Sequence, residues 1–337
     1  MRRVVDFINE YDPGPFPEDF DREVIQLASN ENPYPPAENV IAAIKNNIFK
    51  INRYPSPYYR ELKKAISEYT GFGVENIAVS SGASDIIRLV TDILLDPLDK
   101  VFVPMPSYTM YVMYSMLREA SLETRVYEGY RIDGCYERGK LAFLCSPNNP
   151  TGNVVERKVI EEFLQNFEYV VVDEAYCEFS GTSCADLLEH YDNLIVLRSF
   201  SKFFGLAGMR VGYAIADEKV VRAIEKIRNP FSLSMLGQIA AVEALKSVEY
   251  YRRVAEMILS ERERMRRELE KRFYVYESSA NFLLVKHDVP DISERLMEEG
   301  VLVRDVTGLE GLDGPHFRVT VGRKEENDRF LEVVSGL

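Results

Sequence analysis

Lys202 is the residue whose position most invites chemistry. It closes the run Ser199-Phe200-Ser201-Lys202, which directly follows the apolar stretch Leu194-Ile195-Val196-Leu197 and its neighbour Arg198. That stretch is short and branched enough to be a buried strand. A lysine held at the end of a buried strand loses hydration, which disfavours its ammonium form and lowers its pKa. A neutral amine is what a lysine needs to condense with a carbonyl compound. The competing reading is a solvated loop lysine, and this segment alone does not separate the two. Beyond it, Gly205-Leu206-Ala207-Gly208 supplies a small, flexible segment, and Arg210 leads into a second apolar run from Val211 to Ile215.

Four further polar clusters follow apolar runs in the same way. Ser81-Gly82-Ala83-Ser84 follows Ile77-Ala78-Val79-Ser80, and Pro106-Ser107-Tyr108 follows Val101-Phe102-Val103-Pro104. Asn148-Asn149-Pro150-Thr151-Gly152 comes after Leu141-Ala142-Phe143-Leu144-Cys145, and Asp173-Glu174-Ala175-Tyr176 after Tyr169-Val170-Val171-Val172. Small residues between a strand and a helix leave free N–H groups at a positive helix end, which suits a phosphate, although Ser-Gly-Ala-Ser also makes an ordinary helix start. The runs lack polar alternation, as strands covered on both faces should. Strands and helices alternate, so the expected class is α/β with a mostly parallel sheet. Ligands bind such sheets at the carboxyl ends of the strands, where all five clusters would meet.

The other elements must hold that edge in place. Residues 1–36 read as an arm punctuated by Pro13, Pro15, Pro17, Pro33, Pro35 and Pro36, with Val24 to Ala28 able to add one strand. A helix is expected from Ala37 to Asn47 with Ile41, Ile44 and Ile48 on one face, and another from Pro57, as a first-turn proline, to Tyr69. From Ser234 onward the pattern changes to two helices, several short strands and a last helix from Glu325 to Val334. Length alone, 337 residues, favours two domains. The division read here is the arm at 1–36, which also adds to the small domain, a large domain at 37–234, and a smaller α+β domain with a bridging helix at 235–337.

Net charge is −13, which argues against a nucleic-acid partner. The three histidines are too scattered for a metal site, and the four cysteines form no CxxC pair, as expected of core residues in a reducing compartment. The start lacks the apolar core of a signal peptide and no run approaches a membrane span, so a cytoplasmic protein with no membrane partner is expected.

The motifs in this order resemble a fold-type I pyridoxal-phosphate enzyme, and within that group the histidinol-phosphate aminotransferase family. Besides the clusters above, the resemblance uses Ser29-Asn30-Glu31-Asn32-Pro33, Arg53-Tyr54-Pro55 and Phe317-Arg318-Val319-Thr320-Val321-Gly322, and it spans nearly the whole chain. It implies pyridoxal 5'-phosphate as cofactor, bound by the large domain. Lys202 would carry the cofactor covalently and shuttle a proton between the substrate α-carbon and C4′ of the cofactor. Asp173 would pair with the pyridine nitrogen, Tyr176 and Asn149 would bond the cofactor's O3′, and Tyr108 would stack on its ring. Ala83, Ser84, Ser199, Ser201 and Arg210 would hold its phosphate. The family usually has an acidic residue where Ser84 stands, with Asp85 here one place later.

Tyr54 would reach the phosphate of a neighbouring subunit, which implies a homodimer with shared sites. Arg304 and Arg318 would bind the substrate's phosphate or carboxylate, and Tyr11 and Asn32 would line the same pocket. Arg318 has a reading of its own, since an arginine on a half-buried strand needs an anionic or polar partner. The implied reaction is amino transfer between L-histidinol phosphate and 2-oxoglutarate. A threonine-phosphate decarboxylase-like lyase and an aromatic amino acid aminotransferase stay open as alternatives.

Overall fold

The structure is a computed structural model that describes residues 2–337. In chain order its strands are β1 (Ile25–Gln26), β2 (Ile77–Ser80), β3 (Lys100–Met105), β4 (Ser121–Val126), β5 (Gly139–Cys145), β6 (Phe167–Asp173) and β7 (Leu194–Ser199). They continue as β8 (Gly212–Ala216), β9 (Tyr274–Val275), β10 (Phe282–Lys286), β11 (Val301–Leu302), β12 (Arg304–Asp305) and β13 (His316–Thr320). Seven of them form the main sheet in the order β2-β8-β7-β6-β5-β3-β4.

Within that sheet β7, β6, β5, β3 and β4 run parallel, and β8 runs antiparallel to both its neighbours. The uninterrupted apolar runs have the expected cause. Val170, Val172, Leu194 and Val196 enter one core, while Val171, Ile195 and Leu197 enter a separate core on the opposite face. Alternate side chains of one strand thus serve two cores, and no position is left for solvent. Helices Ala83–Leu94 and Glu218–Ile227 cover the second face, and Arg157–Asn166 and Val248–Leu269 contribute to the first.

Residues after Val248 build a four-stranded antiparallel sheet, β12-β13-β10-β9, packed with the helices Val248–Leu269 and Lys324–Gly336. The N-terminal arm joins this part, because β1 pairs in parallel with β11. Among the described residues no helix is long and apolar enough to cross a membrane.

The structure departs from the expected elements at several places. The second helix starts at Arg60, after Tyr59 in left-handed backbone (φ 50°), and not at Pro57. Ile48 lies beyond the end of helix Glu38–Asn47 and is 53% exposed, whereas Val40 is the residue that helix buries. Edge strand β4 was not anticipated, because its sequence SLETRV is mostly polar and exposed. The stretch from Val301 to Asp305 divides between two sheets, β11 pairing with the arm and β12 with β13.

The antiparallel β8 matters most for the site. Its first residue, Gly212, lies opposite both Ser80 and Ser199, so Arg210 enters at the same edge where the parallel strands end. A side chain at 212 is excluded, since a Cβ there would sit 2.3 Å from the backbone nitrogen of Ala83. Gly212→Ala must therefore displace the start of helix Ala83–Leu94. We expect a loss of roughly 1–3 kcal/mol in stability, as for overpacked core sites, read as a lower midpoint in urea unfolding.

Candidate active site

The strand-end clusters meet in one cleft of about 500 Å³. Lys202, on the turn after β7, projects into it and donates from Nζ to the carbonyl of Ser29 at 2.9 Å. That acceptor is neutral and does not stabilise the ammonium as a carboxylate would. Burial, and then the nearby Arg318 guanidinium, lower the Lys202 pKa from the ordinary 10.5 to about 8, against the pull of Glu31.

Asp173 ends β6 on the floor of the cleft and is 5% exposed. One carboxylate oxygen accepts the Tyr111 hydroxyl at 2.7 Å and the other accepts the Ala175 N–H at 3.0 Å. Burial raises its pKa, and these two donors oppose the rise. The Tyr176 hydroxyl accepts from the Asn30 amide at 3.0 Å, and its ring meets Phe282 edge-on at 5.2 Å. Asn149, in the turn after β5, accepts from Arg318 through Oδ1 at 2.5 Å. The Tyr108 hydroxyl lies 3.1 Å from that of Ser84, and burial pushes its pKa up to about 12.

At one end of the cleft the helix Ala83–Leu94 begins, so the N–H groups of its first turn have no partner within the helix. Ser199, Ser201 and Arg210 stand around that end, with Ser201 N–H on the Ser199 hydroxyl at 3.0 Å and Arg210 Nη1 on the Ala207 carbonyl at 3.2 Å. Gly82 makes this possible. Its φ is +87°, and a Cβ there would meet Arg210 Nη2 at 2.8 Å.

The other wall comes from the C-terminal part. Arg318 on β13 donates to the Ala28 carbonyl at 2.6 Å, and its Nε is buried without an acceptor. Arg304 on β12 bonds the Asp12 carbonyl, lies 6.0 Å from the Tyr11 ring centre, and keeps Nη1 buried without an acceptor.

Thirteen of the fifteen residues singled out by sequence therefore line this cleft: Lys202, Asp173, Tyr176, Asn149, Tyr108, Ala83, Ser84, Ser199, Ser201, Arg210, Tyr11, Arg304 and Arg318. Two do not. Asn32 is turned away, its amide donating to the Phe203 carbonyl at 2.9 Å and its Oδ1 accepting the Tyr34 N–H at 3.0 Å. The physical reason is Asn30, whose left-handed backbone (φ 53°) rotates the segment so that residue 30 faces Tyr176. Tyr54 is 82% exposed and stacks on Phe231 at 4.6 Å, outside its own chain's cleft. Sequence reasoning gave no role to Asn30 or Tyr111. The signal for Asn30 was available, since asparagine tolerates left-handed backbone better than most residues.

The donor set suits pyridoxal phosphate. A half-neutral lysine can take its aldehyde, a buried carboxylate can face a ring nitrogen, and a helix start with two serines and an arginine can take its phosphate. The amine can be tested directly. Above pH 8 the neutral form dominates, so labelling of Lys202 by acetic anhydride should rise through a midpoint of about 8. Arg318→Gln removes the second cause of the shift, and mass-resolved labelling should then show a higher midpoint.

A family model described as aminotransferase class I and II matches residues 22–334. The histidinol-phosphate aminotransferase 2 of Archaeoglobus fulgidus is 52% identical over 340 residues, covering 99% of each chain. That of Methanothermobacter thermautotrophicus is 36% identical over 94% of this chain and 89% of its own. The crystal structure of histidinol-phosphate aminotransferase from Sinorhizobium meliloti with pyridoxal-5'-phosphate superimposes with a TM-score of 0.87. It covers 100% of this chain and 98% of its own at 24% identity, which speaks for the shared fold. This chain belongs to the class I and II aminotransferases, in the histidinol-phosphate aminotransferase family.

Proposed function

We propose that this enzyme moves an amino group between L-histidinol phosphate and 2-oxoglutarate, giving imidazole-acetol phosphate and L-glutamate in histidine biosynthesis. The observation that carries this reading is the pair Arg304 and Arg318. Both line a cleft that already has a separate helix start at Ala83 suited to the cofactor phosphate, and each keeps one buried N–H without an acceptor. A substrate with its own phosphate or distal carboxylate is the partner that satisfies them.

Pyridoxal phosphate, when bound, supplies an electron sink for the carbanion at the amine-bearing carbon. The chain's residues do the rest. Lys202 Nζ would anchor the cofactor and, as a free amine, would move the proton at that carbon. Asp173 pairs with the ring nitrogen. Tyr176 and Asn149 serve the ring oxygen, Tyr108 covers the ring face, and Ala83, Ser84, Ser199, Ser201 and Arg210 hold the phosphate. Tyr11, on the arm beside Arg304, screens the substrate from water. One site used by two substrates in turn gives ping-pong kinetics.

The enzyme in this reading is a cytoplasmic homodimer. Ile48, Phe49, Ile51, Tyr54 and Tyr58 are all more than half exposed within one short stretch, an apolar surface suited to a second copy. Tyr54, whose ring leans on Phe231, reaches the partner's phosphate seat from there. In domain terms, 37–234 holds the cofactor, and 1–36 with 235–337 closes over the substrate.

The deciding experiment follows the cofactor's visible band in a single turnover, with histidinol phosphate, phenylalanine or threonine phosphate added without keto acid. Rapid conversion by histidinol phosphate alone is expected. Equal conversion by phenylalanine would mean an aromatic aminotransferase, and carbon dioxide release from threonine phosphate would mean a lyase. Arg304→Gln should raise KM for histidinol phosphate by about 10- to 100-fold with kcat little changed, checked by steady-state kinetics. Tyr54→Phe should weaken cofactor binding by about 10-fold, measured by reconstitution of the apoenzyme.

A further inference from the structure

Beneath the cleft, Tyr111 has the geometry of a residue that acts through Asp173. It is the second residue of the helix Met110–Leu117, three positions after Tyr108, and is completely buried. Its ring stacks on Phe143 at 4.9 Å with an interplanar angle of 9°, and meets the Tyr108 ring edge-on at 5.6 Å. Held on these sides, the phenol has one direction for its hydroxyl, and that direction ends on Asp173 Oδ2 at 2.7 Å. The other carboxylate oxygen is tied to the Ala175 N–H at 3.0 Å. Among the described residues no salt bridge reaches this carboxylate; two neutral donors fix its plane and, with the charge of nearby Lys202, offset its burial.

We propose that Tyr111 is a positioning residue of the reaction, whose hydroxyl holds the Asp173 carboxylate ionised and turned to the ring nitrogen of the cofactor. This rests on the reading of Asp173 given above. The physical argument is a competition for one proton. A buried carboxylate and a pyridine nitrogen share it, and a hydrogen bond to the charged carboxylate favours leaving it on the nitrogen. Without the hydroxyl, burial gains ground, the proton moves toward Asp173, and the ring withdraws electrons less strongly. Packing alone does not require the oxygen, because phenylalanine would fill the same slot between Phe143 and Tyr108.

The test uses holoenzyme reconstituted with pyridoxal phosphate labelled with 15N in the ring, comparing wild type, Tyr111→Phe, Asp173→Asn and the double variant. For Tyr111→Phe we expect the ring 15N resonance to move toward the neutral-pyridine end and kcat to fall about 10- to 100-fold, with KM for histidinol phosphate nearly unchanged. In the Asp173→Asn background the Phe substitution should add little to either readout. Tyr111→3-fluorotyrosine keeps the ring and acidifies the phenol, and should move the resonance the opposite way. A resonance unmoved by both Tyr111 variants, or a Tyr111→Phe loss of the same size with and without Asp173, overturns the proposal. If Asp173→Asn itself leaves the resonance and the rate unchanged, the fault lies with the role given to Asp173.

Discussion

Four cations, Lys202, Arg210, Arg304 and Arg318, face one cleft in a chain whose net charge is −13. Packing like charges into a partly dry space is costly unless something answers them. The protein answers them mostly with neutral oxygens. Lys202 bonds the Ser29 carbonyl, Arg210 the Ala207 carbonyl, Arg304 the Asp12 carbonyl, and Arg318 the Ala28 carbonyl and the Asn149 amide. Neutral acceptors orient a cation without cancelling its charge. The positive potential therefore survives for anionic ligands, and it also lowers the pKa of Lys202.

Those carbonyls belong largely to the N-terminal arm, which makes the arm part of the cleft's geometry. Residues 27 to 30 are threaded between the two halves of the cleft. Leu27 N–H bonds the Leu302 carbonyl and Thr320 N–H bonds the Leu27 carbonyl, each at 2.8 Å. Asn30 N–H then bonds the Thr320 hydroxyl at 2.8 Å, and Asn281 holds the Asn30 carbonyl at 3.1 Å. The strap is thus anchored to the C-terminal sheet while its carbonyls and the Asn30 amide serve Lys202, Arg318 and Tyr176. A shift of the strap would move the partners of three functional side chains together.

The strand-end clusters were legible because a parallel sheet buried on both faces writes itself as uninterrupted apolar runs, each ending where polarity returns. Lys202, Asp173, Asn149 and Tyr108 could be placed from that alone. What stayed hidden depends on contacts distant in sequence or on backbone sign. The antiparallel sense of β8 follows from a turn that brings Gly212 against Ala83, which no local pattern records. The choice of Asn30 over Asn32 turns on one left-handed φ. Tyr111 gave no local signal, because its hydroxyl finds a partner 62 positions away. β4 stayed unseen because an exposed edge strand carries no apolar run.

The departure at Ser84 follows the same electrostatic logic. Moving the acidic residue from position 84 to 85 advances it by about 100° around the helix. Asp85 there accepts from the Ser80 hydroxyl and pairs with Arg88 at 2.8 Å, and it is absent from the cleft wall. Ser84 keeps its N–H at the helix start and places its hydroxyl 3.1 Å from that of Tyr108. The helix start therefore turns no carboxylate of its own toward the cleft. Arg210 and the two serines stand around that helix start, and Tyr108 is tied by its hydroxyl to the same helix turn. In the proposed reading, ring stacking and phosphate binding thus share one rigid element.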